Sequence, residues 1–355
     1  MSSLEMISLF RGLQNQPSEM TSSIHLFKVI ARNLTLNRIV NLIKVYSSFW
    51  LSRMLSKSIH WGSPISISVE PTTSCNLSCP ECPSGLKKFS RPTGKITIND
   101  FKLLLEQLSK TVQYITLYFQ GEPLLHPNFS DFVALAKRKK IIVATSTNAH
   151  FLNEDTAHDI INSGLDRLII SLDGTDADTY VKYRRGGDFD EVIKNIKTMV
   201  RIRKERKVHR PFLELQFLVL KHNEHQIDEI KQLGKELGMD EVVLKTAQVY
   251  EFEEGNDFIP DLDKYARYEK RVDGKYQIKN KLPNHCFRMW SGCVLTWDLQ
   301  VVPCCFDKDA EHKFGSIREV DFKDIWSSGK YTKFRQQILN DRSKIEICRN
   351  CSEGV

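Results

Sequence analysis

Residues 65–82 read ISISVEPTTSCNLSCPEC. Residues 65–69 have the apolar alternation of a short strand. Just beyond it Cys75, Cys79 and Cys82 crowd onto one loop, separated by three and then two residues. Three thiolates on one loop can hold a metal centre, but only from three directions. A structural zinc ion takes four ligands and leaves none open. Three cysteines on a four-iron cluster leave one iron free to bind something else. A zinc knuckle that borrows a fourth ligand is the other reading of this spacing.

A rhythm begins at this strand. Strand-like runs follow at 114–119, 141–145, 168–171, 213–219 and 242–245, with helical segments between them. Thr97 and Asp100 form a capping box ahead of Phe101, Leu104, Leu105 and Leu108. Asp188 and Glu191 open another helix, through Val192, Ile193 and Ile196. Asn223 opens a third, which Gly238 ends. Six strands alternating with helices predict a parallel α/β sheet. Such sheets put their chemistry at the carboxyl ends of the strands.

The ends of four successive runs carry the further signals. The cysteine loop follows the first. The second enters Tyr118-Phe119-Gln120-Gly121-Glu122-Pro123. The third ends in Thr145-Ser146-Thr147-Asn148. The fourth ends in Ser171-Leu172-Asp173-Gly174 and is followed by Tyr183-Arg184-Arg185-Gly186-Gly187. The cysteine spacing with these segments resembles the radical S-adenosylmethionine (SAM) superfamily. The resemblance implies a partial (β/α)6 TIM-like barrel. It implies that Cys75, Cys79 and Cys82 hold a [4Fe-4S] cluster whose open iron binds SAM. Gly121 and Glu122 would then hold the SAM ammonium group, Asn148 and Ser171 would lie near ribose or substrate, and Arg184, with Arg185 as the alternative, would meet the SAM carboxylate. Two positions depart from the family. Gln120 stands where a first glycine is usual, and Glu81 replaces the aromatic residue that lies near the adenine.

Downstream come Cys286, Cys293, Cys304-Cys305, Trp326 and the closing pair Cys348 and Cys351. This segment resembles the SPASM extension of many radical SAM enzymes. The resemblance gives an auxiliary [4Fe-4S] cluster on Cys286, Cys304, Cys348 and Cys351, with Cys305 able to replace Cys304. Cys293 reads as a small apolar core residue. A four-cysteine zinc site is the competing reading. The family usually has glycine where this chain has Leu299.

The remaining features set limits. The chain has 355 residues, 41% hydrophobic, enough for a large buried core. Its net charge of +7 is mild and does not by itself argue for nucleic acid. Nine cysteines cannot all pair with one another. Residues 1–16 lack a basic start followed by an apolar run, so the expected compartment is the reducing cytoplasm. No acidic residue stands between Glu19 and Glu70, while Lys28, Arg32, Arg38, Lys44, Arg53 and Lys57 do. Leu26, Phe27, Ile30 and Leu34, then Ile39, Leu42, Ile43, Tyr46, Phe49 and Trp50, recur at helical spacing. One reading is helices packed on the outside of the barrel. The other is peripheral contact with the inner face of a membrane.

The expected organisation is a basic helical extension over 1–64, a barrel over 65–250, a polar, irregular bridge over 251–281, and a small cysteine-rich domain over 282–355 held by something other than a large core. The expected activity is reductive cleavage of SAM to a 5′-deoxyadenosyl radical that takes a hydrogen atom from substrate, in an oxidative modification of a peptide, a sugar-like molecule or an envelope precursor. The expected partners are that substrate and an electron donor such as flavodoxin or ferredoxin, with no nucleic acid. A non-catalytic iron–sulfur or zinc scaffold, or an electron carrier, is the competing class. Gln216, Lys245 and Thr246 either face substrate or fill the barrel, and His126 reads as structural.

Overall fold

The computed structural model describes residues 33–351. Six parallel strands lie side by side in chain order: β1 (Ser66–Val69), β2 (Tyr114–Thr116), β3 (Ile142–Thr147), β4 (Arg167–Ser171), β5 (Phe212–Val219) and β6 (Glu241–Thr246). The chain enters through α1 (Leu36–Leu55). Between the strands run α2 (Ile98–Leu108), α3 (Phe129–Arg138), α4 (Glu154–Ser163), α5 (Phe189–Glu205) and α6 (Ile227–Leu237). This is the expected partial (β/α)6 barrel.

Local chemistry fixes several boundaries. The Thr97 and Asp100 capping box is complete at the start of α2, and the Asp188 carboxylate accepts from the Glu191 N–H at the start of α5. Gly238 ends α6 with φ +79°, a backbone angle that costs glycine little. Asn223 does not cap α6 as expected. It is fully buried, and its side chain bonds to the Leu220 N–H and to the carbonyls of Leu218 and Asp173. A short 3-10 turn, Glu224–Gln226, separates it from the helix.

Strand alternation sorts the sheet into two faces. Ile67, Ile115, Val143, Ile170, Leu215 and Phe217 belong to the apolar core shared with the surrounding helices. The opposite set is mixed: Ile142, Ala144 and Ile169 lie on it among polar side chains. Near the amino ends of the strands Arg167 pairs with Glu214 and bonds to Tyr114. Nearer the carboxyl ends come Ser68, Thr116, Ser146, Ser171 and Gln216, with Ser68 opposite Thr116 and Ser171 opposite Gln216.

The C-terminal segment differs from the expected small domain without a large core. β7 (Gly292–Leu295) pairs in parallel with β1, and β8 (Gln300–Val302) and β9 (Gly315–Ser316) continue the same sheet antiparallel. Trp290, Trp326, Tyr331 and Phe334, the last two on α7 (Gly329–Asp341), share the barrel's hydrophobic core. β7 is four residues long, which hid it from periodicity. The bridge is also less irregular than expected. It holds an antiparallel ribbon of Tyr268–Lys270 and Tyr276–Ile278.

The N-terminal prediction falls partly outside the described residues, with Leu26, Phe27 and Ile30. The rest forms α1, which lies across the amino ends of the strands. Its Arg38 guanidinium donates to the carbonyls of Ser109 at 3.1 Å, Lys139 at 3.1 Å and Lys140 at 2.7 Å, in the turns that enter β2 and β3. Among the described residues no helix is long and apolar enough to cross a membrane.

Candidate functional site

Cys75, Cys79 and Cys82 sit on the loop after β1, at the carboxyl end of the strands, and none is in a disulfide. The three share one apolar cluster with Leu77, Tyr183, Leu220, Ala247 and Val249. Burial pushes the Cys75 thiol up to about 11, and burial raises Cys79 as well, against the pull of Arg184. Thiols in such surroundings ionise when a metal centre takes the charge. No three His, Cys, Asp or Glu side chains among the described residues converge tightly enough for a single metal ion. The ligands of a four-iron cube stand further apart than those of one ion.

The loop is anchored at both ends. Glu70 and Arg91 form a buried bidentate pair, and Glu70 Oε2 also accepts from the Trp297 N–H. Gly121, at φ +74°, lies against the loop's backbone. A Cβ there would stand 2.3 Å from the Thr72 carbonyl oxygen, so only glycine fits. Gln120 has no positive φ, so its departure from the family pattern costs no backbone strain, and its amide oxygen lies 3.3 Å from Ser84 Oγ.

Glu122 is buried beside Cys75. Its carboxylate accepts from Thr147 Oγ1 at 2.7 Å, the Asn148 N–H at 2.8 Å and the Leu124 N–H at 3.1 Å. Burial raises its pKa and these donors oppose the rise. A carboxylate offers about four acceptor positions, so one remains for a further donor. Asn148 Nδ2 reaches Asn76 Oδ1 at 2.8 Å and Cys75 Sγ at 4.0 Å. Ser146 Oγ lies 3.5 Å from Ser171 Oγ across the interior.

Arg184 Nε donates to Asp173 Oδ2 at 2.6 Å, and the guanidinium also bonds to Cys79. Burial opposes its charge, but Asp173 and Cys79 hold its pKa well above the usual value. Arg185 is exposed and only its carbonyl meets the loop, accepting from the Ser78 N–H. Four residues at this site escaped the sequence reading. Asp173 orients Arg184 and also accepts from the Leu218 N–H at 2.7 Å. His150 accepts the Asp188 N–H at Nε2, so Nδ1 carries the proton toward Asn148 Oδ1. Lys308 lies near both Cys82 and Cys305, with its ammonium 4.5 Å from the Tyr250 ring centre. Arg288 stands beside Ser66, Ser68 and Thr116. Asp173 adjoins the Ser171 signal and His150 stands two residues after Asn148, so both were legible there; Lys308 and Arg288 become neighbours only through folding. His126 bonds the Ile96 carbonyl and the Asn128 N–H, a structural role.

Glu81 faces away from any aromatic role. Its two oxygens accept from the Tyr250 N–H at 3.0 Å and Asn256 Nδ2 at 3.2 Å, tying the cysteine loop to the bridge.

The second group gathers Cys286, Cys304, Cys348 and Cys351 around one small cavity, with Arg342 in its wall. Arg342 Nη2 lies 3.1 Å from Cys351 Sγ. Cys305 is outside this cavity, 3.6 Å from Arg288 Nη1. Cys293 is buried on β7 opposite Ile67. Four thiols and a guanidinium around one cavity suit an anionic cluster fully ligated by protein. Leu299, in the turn between β7 and β8, has φ +62°, which explains why glycine is usual there. The Trp326 indole N–H bonds the Gly62 carbonyl and so ties this region to the start of the barrel.

Comparison with known proteins agrees with this geometry. Residues 69–237 match the Radical SAM superfamily model and residues 286–352 match SPASM, an iron-sulfur cluster-binding domain. The tungsten-containing aldehyde ferredoxin oxidoreductase cofactor-modifying protein of Pyrococcus furiosus is 26% identical over 312 residues, 80% of this chain and 86% of its own. The S-adenosyl-L-methionine-dependent 2-deoxy-scyllo-inosamine dehydrogenase of Niallia circulans is 25% identical over 293 residues, 81% of this chain and 92% of its own. The crystal structure of Streptococcus suis SuiB bound to S-adenosylmethionine superposes with a TM-score of 0.61 at 15% identity, covering 99% of this chain and 82% of that one. The first match implies a [4Fe-4S] cluster and SAM as cofactors, and the second an auxiliary iron–sulfur cluster. The chain belongs to the radical SAM superfamily and carries a SPASM iron–sulfur domain.

Proposed function

We propose that this enzyme oxidises a hydroxyl-rich small molecule, sugar-like in its chemistry, by removing a carbon-bound hydrogen atom. When bound, the two clusters and SAM supply the 5′-deoxyadenosyl radical and a second redox centre. The observation that carries the proposal is the set of short polar side chains in the barrel mouth. Ser68 and Thr116, with Arg288 beside them, and Ser146, Ser171 and Gln216 further round the sheet stand on the inner face near the carboxyl ends of the strands. Short hydroxyls and amides there hydrogen-bond a polyol, whereas an apolar substrate would leave them without partners. The aminocyclitol named for the relative from Niallia circulans is a molecule of this chemistry.

The chain's own residues then take these roles. Cys75, Cys79 and Cys82 hold the cluster that binds SAM. Gly121 and Glu122 receive the ammonium group through close backbone approach and the remaining acceptor position. Arg184, set by Asp173, meets the SAM carboxylate, and Asn148 and Ser171 bond the ribose or substrate. Cys286, Cys304, Cys348 and Cys351 hold the auxiliary cluster. The shared cavity supports Cys304 over Cys305. The starting electron comes from a flavodoxin- or ferredoxin-type donor, consistent with a cytoplasmic enzyme.

The test offers carbon-deuterated aminocyclitols and sugars, and separately deuterated peptides, to the reconstituted enzyme. Deuterium in 5′-deoxyadenosine from the first group, with a product lighter by two hydrogens, supports the proposal. Transfer from peptides alone overturns it in favour of peptide modification.

A further inference from the structure

Helix α1 is built inside out. Arg38, Asn41, Val45, Ser48, Phe49 and Ser52 face the protein, and four of these six are polar. They are satisfied there: Arg38 by carbonyls of the turns before β2 and β3, Asn41 by Ser63, and Ser52 by Ile59. The opposite stripe consists of Leu36, Val40, Ile43, Ser47, Trp50 and Met54, which fall within one narrow arc at 100° per residue. Leu36 is 76% exposed, Ile43 60%, Trp50 54% and Met54 79%. A helix whose amphipathicity came only from packing on the barrel would show the reverse pattern. Contiguous apolar surface of this kind marks a contact with something else.

Charge says what that contact is. Lys44 flanks the stripe on one side and Arg53 on the other, and Lys57 follows just past the end of the helix; all three are exposed. Arg53 lies over the Trp50 ring at 4.7 Å. The same end of the barrel gathers the turns that follow α2, α3 and α5, because all three helices run back toward the amino ends of the strands. Those turns and the helix ends before them expose Lys110, then Arg138, Lys139 and Lys140, then Lys204, Arg206 and Lys207. Some of the acidic groups nearby are engaged, while Asp321 and Asp324, beside Gln107 at the end of α2, are exposed. Asp166 pairs with Lys137, Asp240 with Arg203, and Glu205 with Arg201.

We infer that this face is a docking surface for an anionic lipid bilayer. The α1 stripe lies in the headgroup region, and the ring of lysines and arginines meets lipid phosphates. An apolar stripe flanked by cations and carrying an indole is the pattern of a helix lying in an interface. A nucleic acid would use the basic ring and leave the stripe in water, so lipid is the partner that uses both. The geometry has a consequence for substrate. The docking face closes the amino ends of the strands and the cysteine loop opens at the carboxyl ends, so the mouth points away from the bilayer and takes a substrate from the aqueous side.

The test is flotation of the full-length holoenzyme with vesicles of phosphatidylcholine alone and with about one third phosphatidylglycerol. Wild type is expected on the anionic vesicles and not on the neutral ones. Ile43→Glu with Met54→Glu is expected to lower binding about tenfold or more, and Arg138→Glu with Lys139→Glu to lower it in a salt-dependent way, with thermal unfolding and SAM cleavage unchanged. Four results overturn the inference. They are absence of binding to anionic vesicles; binding unaffected by the Ile43 and Met54 changes; a self-associated species that those changes abolish without vesicle binding; and a fall in thermal stability from those changes alone, which makes the stripe an internal contact.

Discussion

Both outer nitrogens of Arg91 meet the Glu70 carboxylate, at 2.8 and 2.5 Å, with both side chains buried. The pair joins the two ends of the cysteine loop, and through the Trp297 N–H it joins that loop to the turn after β7. Arg91→Met would leave a carboxylate in apolar surroundings without its partner. The expected loss of stability is about 3–5 kcal/mol. Denaturant unfolding measures it, and the Glu70→Gln, Arg91→Met double variant should regain part of the loss.

The auxiliary site gives a counting prediction. Wild type should hold about eight irons after anaerobic reconstitution, as two four-iron clusters. Cys304→Ala should bring this to about four, as Cys79→Ala should from the other site. Cys305→Ala should leave it near eight. Iron and sulfide analysis separates the two neighbours directly.

Arg184→Lys keeps a charge but loses the planar fork that Asp173 orients. SAM binding should weaken by about tenfold, with iron content unchanged. Equilibrium binding to the unreduced enzyme reads this without turnover.

Much of this site was legible because chemistry constrains it locally. The cysteine spacing, Gly121 and the capping box at Thr97 are dictated by geometry within a few residues. The strand order followed from the alternation of strand and helix. What was not legible depends on distant segments. Lys308 lies near Cys82 only because the C-terminal strands join the barrel sheet, and β7 is too short to show a period. Glu81 looked like a misfit because its partners, Tyr250 and Asn256, lie about 170 residues further along. The inward polar face of α1 was hidden because the same sequence reads equally well as an amphipathic helix packed the other way round.

Leu299 sets two effects against each other. Its left-handed backbone costs a leucine about 1–2 kcal/mol. Its side chain is fully buried, and loss of a buried leucine costs about 2–5 kcal/mol. Burial wins, so Leu299→Gly should destabilise the chain by about 1–3 kcal/mol even though glycine suits the turn. Urea unfolding of the loaded protein checks the sign.

The central claim is that Cys75, Cys79 and Cys82 hold a cluster that cleaves SAM. The direct measurement is chromatographic detection of 5′-deoxyadenosine after anaerobic reconstitution with iron and sulfide, then addition of dithionite and SAM. The expected result is 5′-deoxyadenosine from wild type and none from Cys79→Ala, with the auxiliary irons of that variant retained. A fully iron-loaded wild type that yields no 5′-deoxyadenosine, or a chain that takes up zinc tightly at these cysteines in place of iron, would contradict it.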